Sequence, residues 1–201
     1  MNKKRILIGC EESQVVCRAF RDKGHEAYSC DLIDTRGNPD WHIKGDIMDN
    51  LEGWDLIILH PDCTAMAVCG NRTYAKGNKG YQERLDAIEW TLNLWEQAIK
   101  SCDKVLLENP GSVIFTALRK VGVNIQYVQP WMFGHKETKK TGFALHGLPE
   151  IKETNNVKKY LDSMPNKEKH KVWYASPGPS RKRDRSETYQ GIADALADQL
   201  G

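Results

Sequence analysis

The 201-residue sequence predicts an α/β fold: an open, mostly parallel sheet with an antiparallel hairpin at one edge. Three observations predict it. Short apolar runs at residues 4–9, 26–30, 56–59 and 104–107 have strand length and stop at Gly9, Asp31, His60-Pro61 and Glu108-Asn109-Pro110. Amphipathic stretches at 12–23 and 82–100 fall between them, the alternation that parallel strands and their crossover helices produce. Two later runs, 124–128 and 141–145, are joined by QPWMFGHKETKK, whose Phe133-Gly134 suits a hairpin-like return.

Taken in order, residues 4–9 form a strand that ends in Gly9, and 12–23 a helix with Val15, Val16, Ala19 and Phe20 on one face. Gly24 closes that helix. The second strand delivers Asp31 to its carboxyl end, where ligands of open α/β sheets lie. An acidic side chain there accepts hydrogen bonds from ribose hydroxyls, so Asp31, or failing it Asp34, is a candidate binding residue. A third run at 43–47 places Asp46 at a strand end, where a purine amino group needs an acceptor. The fourth strand breaks at His60-Pro61 and sets Cys63 just past the break. The Gly-, Asn- and Lys-rich stretch 70–80 reads as a mobile loop beside that thiol. In the long helix 82–100 the predicted core stripe is Leu85, Ile88, Leu92, Trp95 and Ile99. The next strand ends in Glu108-Asn109-Pro110, a carboxylate held at a strand end ahead of a proline that delays the following helix. Residues 188–200 close the chain as a helix, with Ser186 or Thr188 as cap.

Composition bounds the rest. With 40% hydrophobic and 28% charged residues the chain reads as one globular domain, residues 1–145 plus 186–201, interrupted by a small irregular basic insert at 146–185. No stretch has membrane-spanning length and no leader precedes the first strand, so the cytoplasm is the expected compartment. The six cysteines show no metal-ligand spacing, and reduced thiols without a metal are expected. The formal charge of +2 conceals an asymmetry: residues 152–185 hold ten Lys or Arg against four Asp or Glu. A polyanion would meet the protein there.

The glycine turn after the first strand, Pro61-Asp62-Cys63 after the fourth and Glu108-Asn109-Pro110 after the fifth together resemble the DNA cytosine-5 methyltransferases. That resemblance implies a Rossmann-like S-adenosylmethionine-dependent methyltransferase fold and methylation of cytosine carbon 5 in DNA, duplex with base flipping or single-stranded. It implies Cys63 as the nucleophile and Glu108 as the acid on the base, with Asn109 beside it. Carbon 5 of cytosine is a poor nucleophile until a thiolate adds to carbon 6, and a carboxylic acid must stabilise the charge this creates. The resemblance also implies that S-adenosylmethionine lies over Gly9, Cys10, Glu11, Asp31, Asp46 and Pro61. The closing TYQGIADAL, with Thr188, would complete that pocket. Lys139 or Lys140 of KETKKTG stands in for an arginine of the family, and Arg181, Arg183 and Arg185 would hold phosphates.

The departures carry expectations too. Asp62 stands between Pro61 and Cys63 where the family has a second proline, and a neighbouring carboxylate raises a thiol's pKa. The first turn reads GCEESQ, which places Glu11 or Glu12 near the cofactor's amino group. The insert is far shorter than the family's target-recognition domain, as in compact phage and mobile-element members, so sequence readout should be slight. The alternatives are the same chemistry on a cytosine nucleotide or RNA, and a cofactor-binding decoy or regulator without methyl transfer.

Overall fold

The computed structural model describes residues 2–171 and 187–201. A seven-stranded sheet runs in the order β3-β2-β1-β4-β5-β7-β6. Its strands are β1 (Arg5–Gly9), β2 (Glu26–Asp31), β3 (His42–Lys44), β4 (Leu56–Leu59), β5 (Val105–Pro110), β6 (Asn124–Val128) and β7 (Thr141–His146). The first five pair in parallel, and β7 enters antiparallel between β5 and β6. The expected antiparallel hairpin is therefore present, with β7 inside the sheet and β6 at the edge.

Helices cover both faces, as parallel strands buried on two sides require. On one face Ile6, Ile8, Leu56, Ile58, Leu106 and Phe143 meet Val16 and Phe20 of α1 (Val15–Asp22) and Ile192 and Leu196 of α7 (Gln190–Leu200). On the other, Leu7, Ile57, Leu59, Leu107 and Ala144 meet Leu94, Trp95 and Ala98 of α3 (Tyr81–Ser101) and Ile114, Phe115 and Leu118 of α4 (Ile114–Lys120). The period-2 alternation is visible within β4 itself, whose four residues are all fully buried.

Several elements differ from the sequence expectation for local reasons. The buried face of α3 is Arg84, Thr91, Leu94, Trp95 and Ala98, turned by about one residue from the apolar stripe, and Leu85 is 40% exposed. Ala98 lets the helix approach the sheet closely, while Arg84 finds backbone acceptors. The stretch after Cys63 is folded: a 3-10 turn (Val68–Gly70) leads into the short α2 (Asn71–Tyr74), and the Asn78 side-chain amide donates to the carbonyls of Asn71 and Arg72.

The closing helix starts later than Thr188, at Gln190, and Ser186 lies outside the described residues. Its first-turn amide at Gly191 donates to His135 Nε2 at 2.9 Å, so an imidazole from the β6–β7 connection does the work expected of a hydroxyl cap. Tyr189 Oη donates to Glu137 at 2.8 Å. The described part of the basic stretch after β7 docks on the same core: Ile151 is buried and exchanges two hydrogen bonds with the Gln126 side chain, while α5 (Lys158–Asp162) buries Leu161. A short α6 (Asn166–Lys169) follows.

Two outcomes check this packing. A Cβ at Gly142, the second residue of β7, would overlap the fully buried Phe115 ring. Gly142→Ala should therefore destabilise the protein by about 1–3 kcal/mol, read as a lower urea midpoint. His135 accepts from Gly191 only when Nε2 carries no proton, and burial lowers its pKa. A depressed folded pKa means stability that is complete above the unfolded value of about 6.5 and is lost as pH falls below it. The melting temperature should drop between pH 7 and pH 5, and less so in His135→Gln.

Candidate active site

The carboxyl ends of the parallel strands gather most of the residues that the sequence singled out. The register Ile57–Val105, Ile58–Leu106, Leu59–Leu107 continues one step to set His60 beside Glu108. His60 Nδ1 lies 3.1 Å from Glu108 Oε2, and the two side chains are 10% and 8% exposed. The next pair is also bonded: Asn109 Nδ2 donates to the carbonyl oxygen of Pro61 at 2.9 Å. The His60 amide donates to Gly9, extending the β1–β4 ladder beyond Leu59. The ends of β4 and β5 are thus joined twice by side chains, directly before Cys63.

The Cys63 loop is held from two directions. Ser112 Oγ and the Val113 amide donate to the carbonyl of Met66, and the Val68 amide donates to Gly111. From α3 the buried Arg84 guanidinium donates to Ala65, Ala67 and the Asn71 side chain. Asp62 turns forward, accepting from both the amide and the hydroxyl of Thr64. Cys63 is half-buried, and its pKa is pushed up to about 11. Burial is the largest cause, the Glu108 charge the second and Asp62 only the third, while Lys139 opposes them. The concern attached to Asp62 is thus real in sign and small in rank.

The turn after β1 is shaped from within. Cys10 and Gln14 both take left-handed backbone angles, φ 59° each. The buried Glu11 carboxylate accepts the amides of Val16 and Cys17, capping α1. Burial raises the pKa of Glu11, opposed first by His60 and then by those amides. Glu12 points elsewhere, in a two-bond pair with Arg36, which also holds Glu187 just before α7. Cys10 is pushed up to about 12 by burial and then by Asp31, Cys30, Asp46 and Asp62, so three acidic residues from three strand ends act on one thiol. Asp31 accepts the Ile33 amide, and Asp46 accepts that of Met48. Asp34 pairs with Lys44. Beside Asp31, Leu32 and Ile33 are 70% and 58% exposed.

The remaining predicted residues divide. The inner side of Gly9 is filled: a Cβ there would meet Ile47 and Leu59 within 3 Å. Lys139 acts on Cys63 and donates to the Glu187 carbonyl, whereas Lys140 Nζ stands 4.0 Å over the Tyr127 ring. Thr188 lies half-buried between Glu187 and Tyr189. Arg181, Arg183 and Arg185 fall outside the described residues. None of the six cysteines forms a disulfide. No helix among the described residues is long and apolar enough to cross a membrane. The sequence reading gave no role to His60 or to Arg84. The signal for Arg84 was present: a charge in helical phase with Ile88, Thr91 and Trp95. For His60 it was the alternation that puts residues 60 and 108 on one face of neighbouring strands.

No protein-family model and no curated protein matches the sequence. Among solved structures, the Entamoeba histolytica methyltransferase EhMeth is similar with a TM-score of 0.50 at 10% identity, over 84% of this chain and 62% of that one. The chain has the methyltransferase fold. The S. pombe Dnmt2 methyltransferase is also similar (TM-score 0.47, 13% identity, 83% of this chain and 57% of that one). So is a putative DNA modification methyltransferase encoded within an E. coli prophage (TM-score 0.45, 11% identity, 81% and 55%). The chain spans less than two thirds of the length of each of these three proteins.

With its pKa near 11, Cys63 should be alkylated slowly at neutral pH. In peptide mass spectrometry after iodoacetamide treatment, the rate at Cys63 should rise about tenfold per pH unit between pH 7 and pH 10. A plateau near pH 8 would contradict the burial of this thiol.

Proposed function

We propose that the protein is an S-adenosylmethionine-dependent methyltransferase that methylates carbon 5 of cytosine in DNA through a covalent adduct with Cys63. The observation that carries this reading is the placement of Cys63 and Glu108 at the adjacent ends of β4 and β5, close enough for the Glu108 charge to raise the thiol's pKa. Both stand at the carboxyl edge of a sheet with the methyltransferase fold.

The cofactor suits the residues present. Asp31 offers a carboxylate for ribose hydroxyls, with Leu32 and Ile33 as exposed apolar neighbours for a purine ring. Asp46 would take the adenine amino group. The turn at Gly9, Cys10 and Glu11 would face the methionine part, and Pro61 and Thr188 would border it. When bound, S-adenosylmethionine supplies an electrophilic methyl group.

The chain's own residues prepare the base. The Cys63 thiol loses its proton, and Sγ forms a bond to carbon 6 as the carbon 5–carbon 6 π pair moves toward carbon 5. Glu108 hydrogen-bonds ring nitrogen 3 and the exocyclic amine, stabilising the charge that addition creates. A base engaging Glu108 in this way also relieves one of the influences that hold the Cys63 pKa up. Lys139 is the cation nearest in effect to the thiolate, ahead of Lys140. The carbon 5 pair would be used in the bond to the methyl group; the carbon 5–hydrogen pair would then re-form the carbon 5–carbon 6 double bond as the carbon 6–Sγ pair returns to sulfur, and solvent water would take both the carbon 5 proton and the proton lost earlier by the thiol. The phosphate backbone would lie over the basic stretch 152–185, with Asn109 near the base and Arg181, Arg183 and Arg185 as phosphate contacts. A groove of about 650 Å³, bordered by Lys136, Lys167 and Lys171 and also by Glu137 and Glu168, opens on the described part of that stretch, and Lys171 pairs with Glu137 there.

Trapping tests the reaction and the nucleophile together. On DNA containing 5-fluorocytosine, with S-adenosylmethionine present, a covalent complex should form and should vanish in Cys63→Ser. Failure on duplex and single strands would sink the reading, and an adduct on RNA alone would reassign the substrate. DNA affinity should fall steeply with salt, in proportion to the number of phosphates neutralised.

A further inference from the structure

His60 has no part in the reaction as written, yet its imidazole bonds the Glu108 carboxyl group. Resting on the proposed reading, in which Glu108 grips the target base, we infer that His60 is the positioning residue for that carboxyl group: its Nδ1–H holds Oε2 through one of that oxygen's lone pairs and fixes the plane in which the carboxyl group meets the base.

Four observations bear on it. The Nδ1–Oε2 distance is 3.1 Å, and both side chains are about nine-tenths buried. Oε1 of Glu108 receives no hydrogen bond among the described residues. His60 Nε2 is buried and has no hydrogen-bond partner in the described structure. A bare ring nitrogen there is tolerated better than an N–H without an acceptor, which assigns the ring proton to Nδ1. The charged groups that face the imidazole are Glu108 from β5 and Glu11 from the turn after β1. A histidine packed there for its shape alone would not require a carboxylate at Nδ1. The register that makes the contact is fixed by three fully buried pairs along β4 and β5, so the bond is imposed by the sheet.

A residue acting in this way affects the chemical step more than binding, because a misplaced catalytic group loses alignment while most substrate contacts remain. Asparagine places its side-chain N–H where histidine has Nδ1–H; alanine places nothing there. His60→Ala should lower kcat for methyl transfer by about 10–100-fold with little change in KM for DNA, and His60→Asn should recover most of that loss. Thermal melting of both variants identifies any loss due to unfolding. Alanine at the wild-type kcat, or asparagine no better than alanine in equally folded protein, would overturn the inference. A second measurement does not depend on turnover: nitrogen-15 NMR of ring-labelled wild-type protein should show His60 protonated at Nδ1. The opposite tautomer would also overturn it. Should wild-type protein show the Nδ1–H tautomer and transfer no methyl group to any polynucleotide, the proposed function fails while the His60–Glu108 pairing stands.

Discussion

The parallel register between β4 and β5 is the constraint on which the rest of the site depends. Ile57, Ile58 and Leu59 lie level with Val105, Leu106 and Leu107, and all six are fully buried. Because side chains alternate with a period of two, a slip of one residue would bury the wrong face of both strands. The hydrophobic core therefore decides where the polar residues beyond it fall. His60 meets Glu108, Asn109 reaches Pro61, and Cys63 follows at a fixed distance along the chain. On its other side β5 is clamped by β7, with Glu108 level with Phe143 and Asn109 level with Gly142.

The electrostatics of the carboxyl edge follow from bringing five strand ends together. Asp31, Asp46 and Asp62 act on Cys10, and Glu108 and Asp62 on Cys63. Burial and those charges hold both thiols protonated. The protein at rest thus keeps its candidate nucleophile in an inert form, and Lys139 is the countervailing charge. Glu11 shows how a buried carboxylate is kept there, with two amides at the start of α1 compensating part of its desolvation.

Much of the fold was legible in the sequence because buried parallel strands are short apolar runs and their helices show a regular period. Residues 56–59 and 104–107 could hardly be read otherwise. What escaped was set by long-range geometry. The face of α3 was misjudged by about one residue because apolar content alone does not reveal that Arg84 is turned inward to three backbone and amide oxygens. The cap of α7 was sought in its own sequence and came from His135, more than fifty positions earlier. At the site, Cys63 and Glu108 were found because strand ends with unusual residues stand out. His60 was seen and set aside, since only the three-dimensional pairing gives it a partner. Glu11 lay where the turn was expected, but its role as a helix cap depends on the left-handed Gln14.

The Arg84 side chain has one more consequence. A guanidinium that satisfies itself on the oxygens of residues 65, 67 and 71 can remain inside the protein only while that loop is wrapped around it. Helix and loop must then open and close as a single cooperative unit, since releasing the loop alone would strand a charge in the interior. Amides of the Cys63 loop and of the first turns of α3 would exchange with solvent together, so the surroundings of Cys63 inherit the stability of a 21-residue helix and not that of an ordinary surface turn.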